Sequence, residues 1–142
     1  MSISIAGRNI GRDHLPFVIA EMSGNHNQSL ERALAIVEAA SRSGAHAIKL
    51  QTYTADTMTL EMRGGNFEVN DPTSLWAGSN LHDLYKLAYT PWEWHKPIMD
   101  HAKKHGLICF SLLISFFIHL FRGVSSNADS RELFVFLWNT KV

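Results

Sequence analysis

The chain has a single cysteine, Cys109, in 142 residues, which excludes an internal disulfide and suits a reducing, intracellular setting. It has no surplus of either charge, since 13 basic residues balance 13 acidic ones. No basic run stands out, so neither nucleic acid nor an anionic membrane is an expected partner. A phosphate-cradling GxxxxGK[ST] run, a dinucleotide-type GxGxxG and a closely spaced Cys/His cluster are all missing, which removes the commonest motif-borne chemistries. The opening residues lack the continuous apolar stretch and small-residue cleavage site of a signal peptide. The longest apolar run, residues 112–121, is broken by Ser115 and His119 and is too short to span a bilayer. A soluble, cytoplasmic protein is the expectation.

What is present suits a packed α/β domain. Hydrophobic residues make up 46% of the chain, enough for a real core. Ile3 and Ile5 alternate with polar residues, as in a short strand or hairpin arm, before turn signals at Gly7, Asn9 and Gly11. Phe17-Val18-Ile19-Ala20 reads as a buried strand that ends in the polar crowd Glu21-Met22-Ser23-Gly24-Asn25-His26-Asn27. A helix over 29–43 follows. Ser29 is its N-cap, Leu30, Ala33, Leu34, Val37 and Ala40 recur at helical spacing, and Gly44 is a natural C′ residue. Residues 45–51 form the next strand, completing a βαβ unit. Periodicity fades from Thr52 to Leu81, as in a long excursion over the mouth of a barrel. A short helix over 81–87 comes next, then a helix opened by Thr90 as N-cap and Pro91 at N1, with Pro97 as a point of bending. Residues 107–111 make a third strand. After Ser111 the βα rhythm stops.

In parallel α/β folds chemistry collects at the carboxyl ends of strands. The first strand here ends at Glu21, and the second carries Lys49 and Gln51 two apart, on one face. A lysine on a short apolar strand is costly to bury unless an anion pairs with it. Two readings stay open for Lys49 and Glu21: a structural ion pair between neighbouring strands, or a catalytic pair. A loop histidine such as His26 is ordinarily a hydrogen-bonding surface residue, although glycine among several polar groups suits a ligand-lined turn. Lys103, Lys104 and His105 read as the solvated end of a helix, favoured by its dipole. Tryptophans 76, 92, 94 and 138 read as core or interface anchors.

These residues carry a resemblance. The run from Phe17 to Asn27 is similar to the opening strand and loop of the sialic acid synthase family, and His46-Ala47-Ile48-Lys49-Leu50-Gln51-Thr52-Tyr53 to its second strand. Ser74-Leu75-Trp76, Leu84-Tyr85, Tyr89-Thr90-Pro91-Trp92-Glu93-Trp94 and Gly106-Leu107-Ile108-Cys109-Phe110-Ser111 continue in the family's order. Glu21 to Asn27 and Thr54-Ala55-Asp56-Thr57-Met58-Thr59 most resemble the pseudaminic acid synthase branch.

The resemblance implies an incomplete (β/α)8 TIM barrel, residues 1–111 supplying its N-terminal modules and 112–142 forming a divergent tail. It implies condensation of phosphoenolpyruvate with an N-acetylated amino sugar, with release of phosphate. Mn2+ or Mg2+ polarises the sugar aldehyde in the family, whose members are homodimers. By the same resemblance Glu21 manages protons at the attacking water or tetrahedral intermediate, and Lys49 neutralises phosphoenolpyruvate. Gln51 bonds the acceptor, Ser111 lies at the phosphate edge, and Asn25 and His26 line the substrate. The family continues its third strand with a serine-x-proline-phenylalanine-aspartate segment, but here Ser111 leads into Leu112-Leu113-Ile114-Ser115. A complete barrel needs roughly 250 residues. The later strands, with another lysine, a glutamate and the metal-binding histidines, are absent, so the expectation is a chain without metal ligands and without activity of its own. The alternatives are an N-acetylneuraminate synthase and a non-catalytic fragment that docks on a complete synthase.

Overall fold

A computed structural model of the chain describes residues 3–113 and the backbone of residues 135–136. Strands β1 (Ile3–Ile5) and β2 (Arg8–Ile10) form an antiparallel hairpin with Ile5 opposite Arg8. Ala6 and Gly7 turn the chain there with positive φ, the backbone sense that matches a tight hairpin. The main sheet contains β3 (Ile19–Glu21), β4 (Ala47–Thr52), β5 (Ile108–Leu113) and β6 (Val135–Phe136), in that spatial order. The first three run parallel, whereas β6 lies antiparallel to β5. The next strand of a (β/α) barrel would run parallel.

Helix α1 (Leu30–Arg42) makes the first crossover. The Ser29 side chain accepts a hydrogen bond from the Arg32 backbone N–H, and Gly44 takes φ 81° just past the helix end. Its buried face is Ala33, Val37 and Ala40, at the i, i+4, i+7 spacing of one stripe. The second crossover is longer. It holds α2 (Ala55–Met58), a 3-10 turn at Gly65–Phe67, α3 (Leu81–Ala88), a second 3-10 turn at Trp92–Trp94, and α4 (His95–Lys104). Ile98 and Ala102 of α4 meet α1 and the sheet in a single core with Met22, Ile48, Leu50 and Leu107. Fully burying side chains of the Ile or Leu class contributes about 1.5–3 kcal/mol each, so this seam between two helices and one sheet face fixes the layer. Alternation along β4 then turns Lys49 and Gln51 to the other face, which no helix of this core covers.

Three local expectations are revised. Thr90 does not cap a helix: its hydroxyl is buried against His26, and Pro91 opens the 3-10 turn ahead of α4. Pro97 is the third residue of α4, where a missing N–H costs no helical bond, so it has no cause to bend the helix. The stretch from Thr52 to Leu81 is not a bare excursion. Asn80, almost wholly buried, donates to the carbonyls of Met62 (2.6 Å) and Phe67 (3.2 Å) and caps α3. Each of the three parallel strands is shifted towards the C-terminus relative to its apolar run, β5 continuing past Ser111 to Leu113. His119, Trp138 and most of the two apolar runs of the tail lie outside the described residues.

Candidate functional site

The parallel register of β3 on β4 sets Glu21 directly beside Lys49. Lys49 Nζ donates to Glu21 Oε1 at 2.5 Å, with the two side chains 25% and 54% exposed. The pair is therefore neutralised yet reachable, unlike a buried core bridge. One step along β4, Gln51 Oε1 accepts the Ser23 hydroxyl at 3.1 Å. That bond fixes the amide and leaves its NH2 end as the one offered to a ligand. Glu21, Ser23, Lys49 and Gln51 thus form one polar strip that runs from the end of β3 and the middle of β4 towards the carboxyl end of β4. A cation and an amide donor beside a carboxylate can bind an anion and move a proton near it.

The loop after β3 is held in an unusual conformation. Ser23, Asn27 and Gln28 all have φ near +50°, a left-handed state that costs a non-glycine residue energy and persists only where its surroundings enforce it. His26 supplies the enforcement. It is completely buried, which corrects the expectation of a surface histidine. The Gln28 N–H donates to its Nδ1 at 3.2 Å, so the neutral ring carries its proton on Nε2, which donates to Thr90 Oγ1 at 3.1 Å. Burial holds the His26 pKa below its ordinary value, in keeping with that neutral form. Trp94 packs edge-on against the ring. Asn25 is exposed and donates its side-chain N–H to the Met22 carbonyl at 2.9 Å. Gly24 lies so close to α3 that a Cβ there would sit 3.0 Å from the Ala88 oxygen.

Ser111 is placed elsewhere. It pairs in register with Leu50 and so faces the helices, opposite Lys49 and Gln51. Its hydroxyl meets Thr52 Oγ1 at 2.5 Å, and that oxygen meets His95 Nε2 at 2.6 Å. His95 Nδ1 lies 3.2 Å from the carbonyls of Pro91 and Trp92, so in the neutral ring Nδ1 is the donor and Nε2 accepts the Thr52 hydroxyl. This relay ties α4 to the sheet. Ser23, Thr52 and His95 were not among the expected site residues: Ser23 and Thr52 stand inside the first-loop and second-strand motifs, but nothing local marks His95. Cys109 faces the core, and burial pushes its thiol up to about 12.

The NeuB family matches residues 36–116, more than half of the chain and past Ser111. This chain belongs to the NeuB family. Among curated relatives, a pseudaminic acid synthase of Campylobacter jejuni is 45% identical over 103 residues, covering 72% of this chain and 29% of that protein. One from Helicobacter pylori is 43% identical over 96 residues, covering 68% and 28%. The chain therefore spans less than a third of the length of these relatives. Among solved structures, the N-acetylneuraminic acid synthetase of Leptospira borgpetersenii superposes with a TM-score of 0.63 at 23% identity, over 82% of this chain and 35% of that one. That likeness bears on the fold alone, an α/β fold with a parallel sheet.

Within this NeuB-family chain the one cluster of three His, Asp or Glu side chains able to share a metal, among the described residues, is Glu38, His101 and His105, between α1 and α4. The polar strip at Glu21 and Lys49 includes no such cluster. A separate cleft of about 340 Å3, lined by Arg63, Trp76, Asn80, Asp83, Leu84 and Leu87, includes none of the strip's residues. No helix among the described residues is long and apolar enough to cross a membrane.

Proposed function

We propose that this chain supplies the first modules of a (β/α)8-barrel synthase that condenses phosphoenolpyruvate with an N-acetylated amino sugar, pseudaminic acid being the favoured product. The observation that carries the reading is the Glu21–Lys49 pair, reachable and flanked by Gln51, where β3 ends beside the middle of β4. The identity with pseudaminic acid synthases of two organisms supports the choice of product.

In the proposed reaction the methylene carbon of phosphoenolpyruvate forms a bond to the sugar aldehyde carbon, whose oxygen becomes a hydroxyl. Water adds to the neighbouring carbon, and the carbon–oxygen bond to phosphate is broken, releasing inorganic phosphate. Lys49 has the charge to hold the phosphoenolpyruvate carboxylate and is already desolvated over most of its length, so little reorganisation is needed as charge develops. Glu21 stands beside it to take or return the proton of the attacking water. Gln51, oriented by Ser23, donates to the acceptor. Asn25, whose side chain bonds the Met22 carbonyl, is carried over from the family as a substrate-lining residue of that loop. His26 acts through that loop, holding its left-handed turn in place. Ser111 serves the phosphate end only through β5, since its hydroxyl is engaged with Thr52.

The described residues do not fit the Mn2+ or Mg2+ of the proposed family reaction. Glu21 is committed to Lys49, and the one candidate cluster is two-thirds imidazole, whereas these ions favour oxygen ligands. By the same reading the 142-residue chain alone is inactive, because three barrel strands cannot close the sheet. A longer form carrying the later strands, assayed for phosphate release with the pseudaminic-type acceptor and with N-acetylmannosamine, tests the proposal. Release with the first acceptor is expected; preference for N-acetylmannosamine sinks the pseudaminic assignment.

A further inference from the structure

Helices α1 and α4 carry a cluster that the proposed reaction does not use. His101 and His105 are four residues apart, so one helical turn stacks their rings on a single face. The ring centroids are 4.5 Å apart. Glu38 reaches across from α1, with Oε1 3.1 Å from His101 Nε2 and 4.0 Å from His105 Nε2. One donor atom from each residue lies within 4.8 Å of the other two. Arg42 bonds the other carboxylate oxygen at 3.4 Å, which turns Oε1 towards the histidines.

We propose that Glu38, His101 and His105 form a three-ligand site for a late first-row divalent cation of the zinc class, clamping α1 to α4 on the helical side of the sheet. Two imidazoles and one carboxylate are a ligand set such ions accept in tetrahedral geometry, at about 2.0–2.2 Å per bond, with water in the fourth position. Imidazole nitrogen selects zinc, nickel or copper over magnesium. Ligand atoms around such an ion stand roughly 3.3–3.5 Å apart, a value set by those bond lengths. Closing from 4.8 Å requires only small side-chain rotations, and half-open surface side chains have that freedom. His105 is the C-cap of α4 and His101 sits in its last turn, where the helix dipole favours a cation. The ion would join the two helices whose inner faces carry the core, so binding should stabilise the fold.

The test uses the 142-residue chain without a polyhistidine tag, titrated with Zn2+ in a calorimeter and with Co2+ by visible absorption. One equivalent of zinc should bind, tetrahedral Co2+ bands should appear, and zinc but not Mg2+ should raise the thermal midpoint. His105→Ala should weaken zinc at least about tenfold, since loss of a mere outer-sphere partner already costs 10–100-fold. His105→Asn keeps a polar C-cap and should lose the same affinity, which separates ligand loss from helix fraying. The chain has 8 histidines in all, so the overturning result is specific. Zinc binding to the wild type that is absent, or matched in stoichiometry and affinity by both His105 variants, refutes the site.

Discussion

Replacing Lys49 with methionine separates a structural ion pair from a substrate-binding cation. The substitution keeps the apolar stem and removes the charge. Lys49 is 25% exposed and Glu21 54% exposed, so solvent screens the pair and the abandoned carboxylate can be hydrated. Half-open pairs of this kind contribute about 0.2–1 kcal/mol, whereas stranding one partner of a buried pair costs about 3–5 kcal/mol. The structure therefore predicts a loss of less than about 1 kcal/mol, a fall in thermal midpoint of no more than about 4–8 °C for a domain of this size. Turnover in a form carrying the later strands should suffer far more. Loss of one preorganised donor to developing charge typically lowers kcat by about 10²–10³. Urea unfolding of the wild type and Lys49→Met, beside phosphate release from the longer form, supplies both numbers. A stability loss of about 3 kcal/mol or more, or unaltered turnover, would refute the reasoning.

Two further outcomes follow from the loop after β3. His26 has a lowered pKa because it is buried, so between its folded and unfolded values the unfolded chain binds the extra proton and stability rises with pH. Stability should be full above the unfolded value of about 6.5 and fall as pH drops through the folded value; His26→Gln should flatten that slope in urea midpoints measured from about pH 7.5 to about pH 5.5, and identical slopes would contradict it. Gly24→Ala should destabilise by about 1–3 kcal/mol through overpacking, because the new Cβ meets Ala88 at 3.0 Å and 3.3 Å; a neutral effect on the urea midpoint would show that the loop does not close on α3.

Much of this was legible in order along the chain, and the misses share a cause. The Ser29 cap, the Ala33–Val37–Ala40 stripe and the stop at Gly44 are local signals that tertiary packing reinforces, so the helix lies where its pattern put it. The two-residue spacing of Lys49 and Gln51 was enough to place them on one face. That Glu21 stands beside Lys49 depends on the register between β3 and β4, which no local rule sets. The face of Ser111 likewise depends on how β5 aligns with β4. Thr90 and Pro91 offer a sound local cap, yet the hydroxyl is taken by His26, 64 residues earlier. His26 in turn packs against that distant threonine and Trp94, contacts that no local rule sets. Side chains that act across crossovers are illegible until the crossovers are built.

We propose that the polar strip at β3 and β4 belongs to a phosphoenolpyruvate-condensing site. Its most direct test is product analysis with uniformly carbon-labelled phosphoenolpyruvate, using a form that adds the later strands and the pseudaminic-type acceptor sugar. The expected product has all three labelled carbons joined to the sugar, with one phosphate released per product. Labelled phosphoenolpyruvate left intact, or label recovered only as pyruvate, would contradict it.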